Sequence, residues 1–140
     1  MVRRLSAAPL ALLAVAACAE NPAGASVPTG REFQLRVGES VAVEGTDLGV
    51  RFERVASDSR CPANAICVTL GEAAVVFSVT RGERPASSLT LHTEPSEERR
   101  ATVGDWTLTL TRLDPYPYAG RRISPSEYQA MLRVDPATGS

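Results

Sequence analysis

The ten residues DSRCPANAIC, 58 to 67, hold the densest chemistry of the chain: Asp58, Arg60, Cys61, Pro62 and Cys67. Two thiols this close in sequence could form a disulfide, contribute to a metal site or act as a redox pair. A zinc site takes about four ligands, and the single histidine, His92, lies well downstream. Redox pairs are usually Cys-x-x-Cys at a helix N-terminus, whereas five residues separate these cysteines. A turn at CPAN, with Pro62 in its second position and Asn64 in the left-handed region, would bring the sulfurs together. The pair therefore reads as a Cys61–Cys67 disulfide, worth roughly 2–3 kcal/mol through closure of a short loop. No metal and no cofactor is expected.

Asp58 and Arg60 flank the staple. As chemistry, Asp58 would be a metal ligand or general base, but no second carboxylate or histidine lies beside it in sequence. As structure, it caps an Asx turn, with Arg60 paired to a neighbouring carboxylate such as Glu72. The structural reading is the stronger.

A disulfide requires an oxidising compartment, and the N-terminus supplies one. Arg3 and Arg4 precede an uncharged apolar stretch from Leu5 to Ala17, the form of a secretory signal. The stretch is short of the roughly 20 apolar residues that span a bilayer. The sequence VAAC, ending in Cys18, resembles a bacterial lipobox; an ordinary signal peptide with a chance cysteine is the alternative. By that resemblance residues 1–17 are removed and Cys18 becomes the lipidated first residue. More than one acyl chain then makes a stable anchor. Ala19, in place of aspartate, implies the outer membrane of a Gram-negative cell, with the domain facing the periplasm.

Cleavage leaves about 120 residues, enough for one domain with a modest core. All fifteen basic residues are arginine. Without Arg3 and Arg4 they number thirteen against sixteen acids, interspersed along the chain, which excludes a nucleic-acid-binding stripe. Residues 18–31, rich in Ala, Pro, Gly and Ser beyond Cys18, read as a flexible tether that holds the domain about 20 Å from the lipid.

From residue 32 the apolar period is two. Phe33, Leu35 and Val37 alternate, as do Leu48, Val50 and Phe52, but the next apolar residue is Val55. That phase slip predicts a bulge near Glu53 and Arg54. Val75, Phe77 and Val79 share a face, Leu89 and Leu91 another, and Trp106, Leu108 and Leu110 alternate with threonines. YQAMLRV could open as a helical turn after ISPSE and end as a strand. Turn signals at intervals of about 8–12 residues favour an all-β fold, a small antiparallel β-sandwich or barrel braced by one disulfide. The β domain is expected over residues 32–136, with a tail at 137–140.

The stretch DSRCP, followed by Cys67 and Gly71, resembles a pattern in small exported bacterial lipoproteins of unknown function. There DSRCP precedes a cysteine, an aromatic residue and a glycine between two strands. LDPYP, Leu113 to Pro117, and the tyrosine-containing terminal strand extend the resemblance to residues 33–134. Thr69 or Leu70 stands where that family has the aromatic. The resemblance implies a fold, with Asp58, Arg60, Pro62 and Gly71 as its structural turn, and no activity.

Other chemistry is sparse. Alternation points His92 away from the core as a solvated strand residue, and SEERR reads as a polar turn. No nucleophile elbow, P-loop, dinucleotide fingerprint or calcium loop is present. The remaining candidate is LDPYPYAGRRISPSEY, where Tyr116, Tyr118, Arg121 and Arg122 are of the types enriched at binding hot spots. Alternatively, its tyrosines pack over the sandwich edge. The reading is a non-enzymatic, lipid-anchored envelope module that contacts an envelope protein or cell-wall material. The alternative is a small-molecule or metal-binding periplasmic domain, which convergence of Asp58, Glu72 and His92 on one pocket would favour. If Cys18 is the anchor, mass spectrometry of membrane-extracted protein will show loss of residues 1–17 plus acyl mass. Cys18→Ser will release a folded domain; an unmodified product or cleavage elsewhere contradicts the lipobox reading.

Overall fold

A computed structural model describes residues 25–138. Its strands are β1 (Ala25–Val27), β2 (Glu32–Arg36), β3 (Ser40–Val43), β4 (Leu48–Asp58), β5 (Ala73–Arg81), β6 (Ser87–His92), β7 (Arg100–Val103), β8 (Trp106–Asp114) and β9 (Gln129–Pro136). Two short 3₁₀ helices, Ser96–Arg99 and Pro125–Glu127, lie in the connections. The strands form a five-stranded sheet, β1-β3-β4-β5-β6, and a four-stranded sheet, β2-β9-β8-β7. Of the two all-β architectures, the chain adopts the sandwich.

Each sheet turns the apolar half of its alternation inward. Phe33 and Leu35 of β2, Val41 and Val43 of β3, and Leu48, Val50 and Phe52 of β4 are buried. Val75, Phe77 and Val79 of β5 meet Leu108, Leu110, Leu132 and Val134 from the second sheet in one core. Phe52 and Phe77, paired in register, lie at its centre with ring centroids 5.4 Å apart. Such tilted aromatic pairs add about 0.5–1.5 kcal/mol beyond their buried area.

The apolar phase slip after Phe52 has a structural counterpart. The β4–β5 register shifts between Phe52 and Arg54 and again between Val55 and Ser57. The distal end of β4 is thereby re-aimed, and with it Asp58 and the loop that follows. A similar irregularity between Leu110 and Arg112 bends β8, and Thr111 there donates to the Met131 carbonyl at 3.2 Å. The helical turn expected at the start of YQAMLRV lies just before it, as the 3₁₀ turn Pro125–Glu127, where the Ser124 N–H donates to the Glu127 carboxylate at 2.6 Å and the Glu127 N–H to the Ser124 carbonyl at 2.9 Å.

The tether expectation is corrected for residues 25–31. Ala25–Val27 pairs parallel with Val41–Val43, and the Gly30 N–H donates to the Val134 carbonyl at 2.8 Å. Composition argued against burying apolar surface, but an edge strand is held through backbone groups that any of these residues supplies. The β domain thus includes residues 25–31, and Ala137 of the expected tail donates to the Asp105 carbonyl. Cys18, the signal segment and the first part of the tether lie outside the described residues.

Candidate functional site

The connection between β4 and β5 is a hairpin extended beyond the regular ladder. The Ser59 N–H donates to the Glu72 carbonyl at 2.7 Å and the Cys61 N–H to the Leu70 carbonyl at 2.8 Å. Gly71, at φ +65°, permits this closure; a Cβ there would stand 1.8 Å from the Ser59 carbonyl oxygen. Any side chain at residue 71 would push the two arms apart. Beyond Cys61, the Cys61–Cys67 disulfide closes the loop with 5.9 Å between Cα atoms.

The turn inside the loop differs in detail from its expected form. Ala65 N–H donates to the Pro62 carbonyl at 3.1 Å, so Pro62 occupies the first turn position. No non-glycine residue among those described has positive φ, Asn64 included. Asn64 works through its side chain instead. Its Oδ1 accepts from the Ala119 N–H at 2.7 Å, while Nδ2 donates to the Ala119 carbonyl at 3.4 Å. With Ala63 N–H donating to the Pro117 carbonyl at 2.9 Å, the first half of the stapled loop is bound to the segment 117–119.

Arg60 makes that attachment strong. It is the buried charged residue of the described chain, 7 % exposed. Its Nε and one terminal nitrogen donate to the two Asp58 oxygens at 2.8 and 2.7 Å, a bidentate pair. Two further N–H groups reach the Leu113 and Pro115 carbonyls at 2.8 and 3.0 Å. Asp58 also accepts from the Arg60 N–H at 3.2 Å, closing an Asx turn, and from the Tyr128 hydroxyl at 3.0 Å. Tyr116 lies against the guanidinium, 5.1 Å from its carbon to the ring centroid. The expected Arg60–Glu72 partnership is thereby corrected. The Asx turn places Arg60 over Asp58, and the Glu72 carboxylate turns to the outer face.

The cluster sets its own ionisation. Burial pushes the Asp58 carboxyl up, but hydrogen bonds and charge from Arg60, with the Tyr128 hydroxyl, outweigh it and hold the carboxyl below its ordinary value. Burial, and then the hydrogen bond to Asp58 and its charge, push the Tyr128 hydroxyl up to about 12. A depressed carboxylate and a raised phenol are both locked in their neutral-pH forms. Neither is poised to exchange protons near pH 7.

The loop held by this cluster presents an unusual surface. Ile66 and Val68 are 104 % exposed and Leu70 is 74 % exposed, while Tyr116 and Tyr118 are more than half exposed. The stapled loop thus presents an exposed apolar ridge, and the segment it is bonded to carries two exposed tyrosines. Arg121 borders it but is paired to Glu127 at 2.7 Å, and Arg122 is exposed. Sequence reading singled out the tyrosines and arginines and passed over Ile66, Val68 and Leu70. The alternation of Ile66, Val68 and Leu70 is the signal that could have found them, although a period of two ordinarily marks a half-buried strand. The disulfide and Gly71 close the loop before those side chains can reach a partner sheet.

At the foot of the ridge lies a cleft of about 280 Å³. Leu70, Leu110, Leu113 and Tyr116 supply apolar lining, and Arg60, Glu94, Arg99 and Arg112 supply charge, with Arg99 paired to Glu94 and Arg112 to Asp114. Asp58, Glu72 and His92 do not converge on it. Glu72 and His92 come together elsewhere, with the His92 Nδ1 3.0 Å from the Glu72 Oε2, while Asp58 remains with Arg60 and Tyr128. His92 is half-buried between carboxylates rather than freely solvated. Arg99 of the SEERR turn is bonded to Glu94.

No protein-family model matches the chain, and neither does any curated protein or solved structure.

Removing Arg60 leaves Asp58 buried and unpaired, so Arg60→Met will cost about 3–5 kcal/mol in urea unfolding. The native Asp58 pKa is depressed, so its contribution is present above the ordinary carboxylate range and is lost as pH falls through the native value. Asp58→Asn will therefore flatten the acid limb of the stability profile. The raised Tyr128 pKa has the opposite sense: its contribution is complete below about pH 10 and is lost as pH rises through about 12. An Arg60→Met cost near zero, with an unchanged acid limb in Asp58→Asn, would remove this cluster from the stability of the fold.

Proposed function

We propose that this protein is a lipid-anchored envelope module, held at the outer membrane through Cys18, that binds an envelope protein through the stapled ridge and does no chemistry of its own. The observation that carries the reading is the full exposure of Ile66 and Val68 on a loop fixed by a disulfide and by backbone hydrogen bonds. Fully solvated aliphatic groups gain nothing from the fold that displays them, and contiguous exposed apolar patches mark interaction surfaces. Rigid presentation lowers the entropy cost of association. Tyr118 and Arg122 add an amphipathic rim of the kind found at binding hot spots.

The fitting partner has an apolar groove to accept Ile66, Val68 and Leu70, with an acidic edge facing Arg122. Aliphatic side chains in a row favour such a protein groove over the polar surface of a glycan. The shifted Asp58 and Tyr128 belong to the ion cluster that holds the loop. The resemblance of DSRCP and the lipobox to small exported lipoproteins supports the location. A second reading, capture of a small amphiphile, is favoured by the cleft, where apolar lining meets the paired charges of Arg99 with Glu94 and of Arg112 with Asp114.

A photo-crosslinking residue at position 68 in intact envelopes will give one discrete protein adduct. The same residue at Glu83, exposed beyond the opposite end of β5, will give none. Ile66→Asp with Val68→Asp will lower affinity for the crosslinked partner at least about tenfold, and stability will move by no more than about 0.5 kcal/mol. Undiminished binding by the double variant, or equal crosslinking from position 83, would overturn the reading. Binding lost in Arg112→Ala but kept in the ridge variant would favour the amphiphile.

A further inference from the structure

We propose that His92, Glu98 and Glu72 form a site for a divalent transition-metal ion on the outer face of the five-stranded sheet, independent of the ridge. Three separate segments build it. His92 ends β6, Glu72 immediately precedes β5, and Glu98 comes from the 3₁₀ helix Ser96–Arg99. The β5–β6 register pairs Ala74 with His92. Since alternate residues share a face, Glu72 and His92 project on the same side. The helix folds Glu98 back over the imidazole, and the Arg99–Glu94 ion pair ties the end of that helix to its entry.

The imidazole meets the two carboxylates differently. Glu72 Oε2 lies 3.0 Å from Nδ1, a hydrogen bond. An ionised carboxylate only accepts, so Nδ1 carries the proton. In the neutral ring Nε2 then has its lone pair free. That nitrogen faces Glu98 Oε2 at 3.7 Å, beyond the roughly 2.7–3.2 Å of an N–H···O bond. The gap suits a shared ion: two metal–ligand bonds of about 2.0–2.2 Å meeting at roughly 120° span that distance. One donor atom from each of the three residues lies within 4.8 Å of the others.

The arrangement follows the carboxylate–histidine–metal order, in which the outer carboxylate orients the ring and raises its basicity. His92 Nε2 and Glu98 are the direct ligands, Glu72 is the positioning residue, and water completes the coordination. A nitrogen donor with a carboxylate favours zinc, nickel or copper over calcium or magnesium, which prefer all-oxygen sites. The side chains of His92, Glu72 and Glu98 are 27, 44 and 55 % exposed, so an ion can enter without unfolding.

His92 is the only histidine of the chain, so its ring protons identify themselves in an NMR spectrum of the untagged protein. Titration of the full chain, solubilised in detergent at neutral pH, with zinc chloride alone will shift those resonances saturably at submillimolar metal. Glu98→Gln will abolish the shift, and Glu72→Gln will weaken binding about 10–100-fold. Acidification will release the metal, because the proton competes for Nε2. Resonances that move with pH but not with zinc would show an imidazolium held between two carboxylates and overturn the proposal. So would zinc binding that Glu98→Gln leaves unchanged.

Discussion

The bidentate contact between Arg60 and Asp58 is the constraint on which the functional end of this molecule depends. Both side chains are nearly removed from water, at 5 and 10 % exposed. A buried ion pair offsets its desolvation only when the remaining donors and lone pairs are also satisfied. Here four of the five guanidinium N–H groups find acceptors and Asp58 accepts from Arg60 and Tyr128, and the satisfying groups decide the architecture. The Leu113 and Pro115 carbonyls belong to the end of β8 and the segment after it, in the second sheet. Tyr128 lies just before β9. One guanidinium and one carboxylate thus tie the exit of β4 in one sheet to β8 and β9 in the other.

The stapled loop inherits its rigidity from that tie. The disulfide limits the conformations of residues 61–67 but does not by itself orient them on the body of the protein. Orientation comes from Arg60 at the base, from Ala63 on Pro117, and from Asn64 on Ala119. The tyrosine segment is held by the same contacts, with Tyr116 against the Arg60 guanidinium. A surface with Ile66 and Val68 wholly in water is a poor arrangement for stability alone. Under the proposed binding role, the ordering costs of this surface have already been met during folding.

The all-β class was legible because a period of two persisted through β2, β4, β5 and β8, and the bulge at Glu53 was legible as a break in that period. The Cys61–Cys67 pairing followed from two thiols a short turn apart. Other features depended on distance in sequence. The Arg60 contacts with Leu113 and Pro115 span more than fifty residues, and nothing local to either segment announces them. The Glu72–His92–Glu98 group is likewise made by β5–β6 register and a 3₁₀ turn, and SEERR alone read only as polar. The strand at Ala25–Val27 escaped notice because its stabilisation is carried by backbone groups rather than by side-chain pattern. Ile66, Val68 and Leu70 were legible as apolar and misleading as to burial.

The central claim is that the Asp58–Arg60 cluster holds the stapled loop in a single orientation. Residue-resolved amide hydrogen exchange tests it most directly, through the N–H groups of Cys61, Ala63 and Ala119, which donate to Leu70, Pro117 and Asn64. All three will be protected in the wild-type protein. In Arg60→Met that protection is lost at Ala63 and Ala119, while β5 and β9 amides remain slower to exchange. Free exchange of these amides in the wild type, or unchanged protection in Arg60→Met, would contradict it.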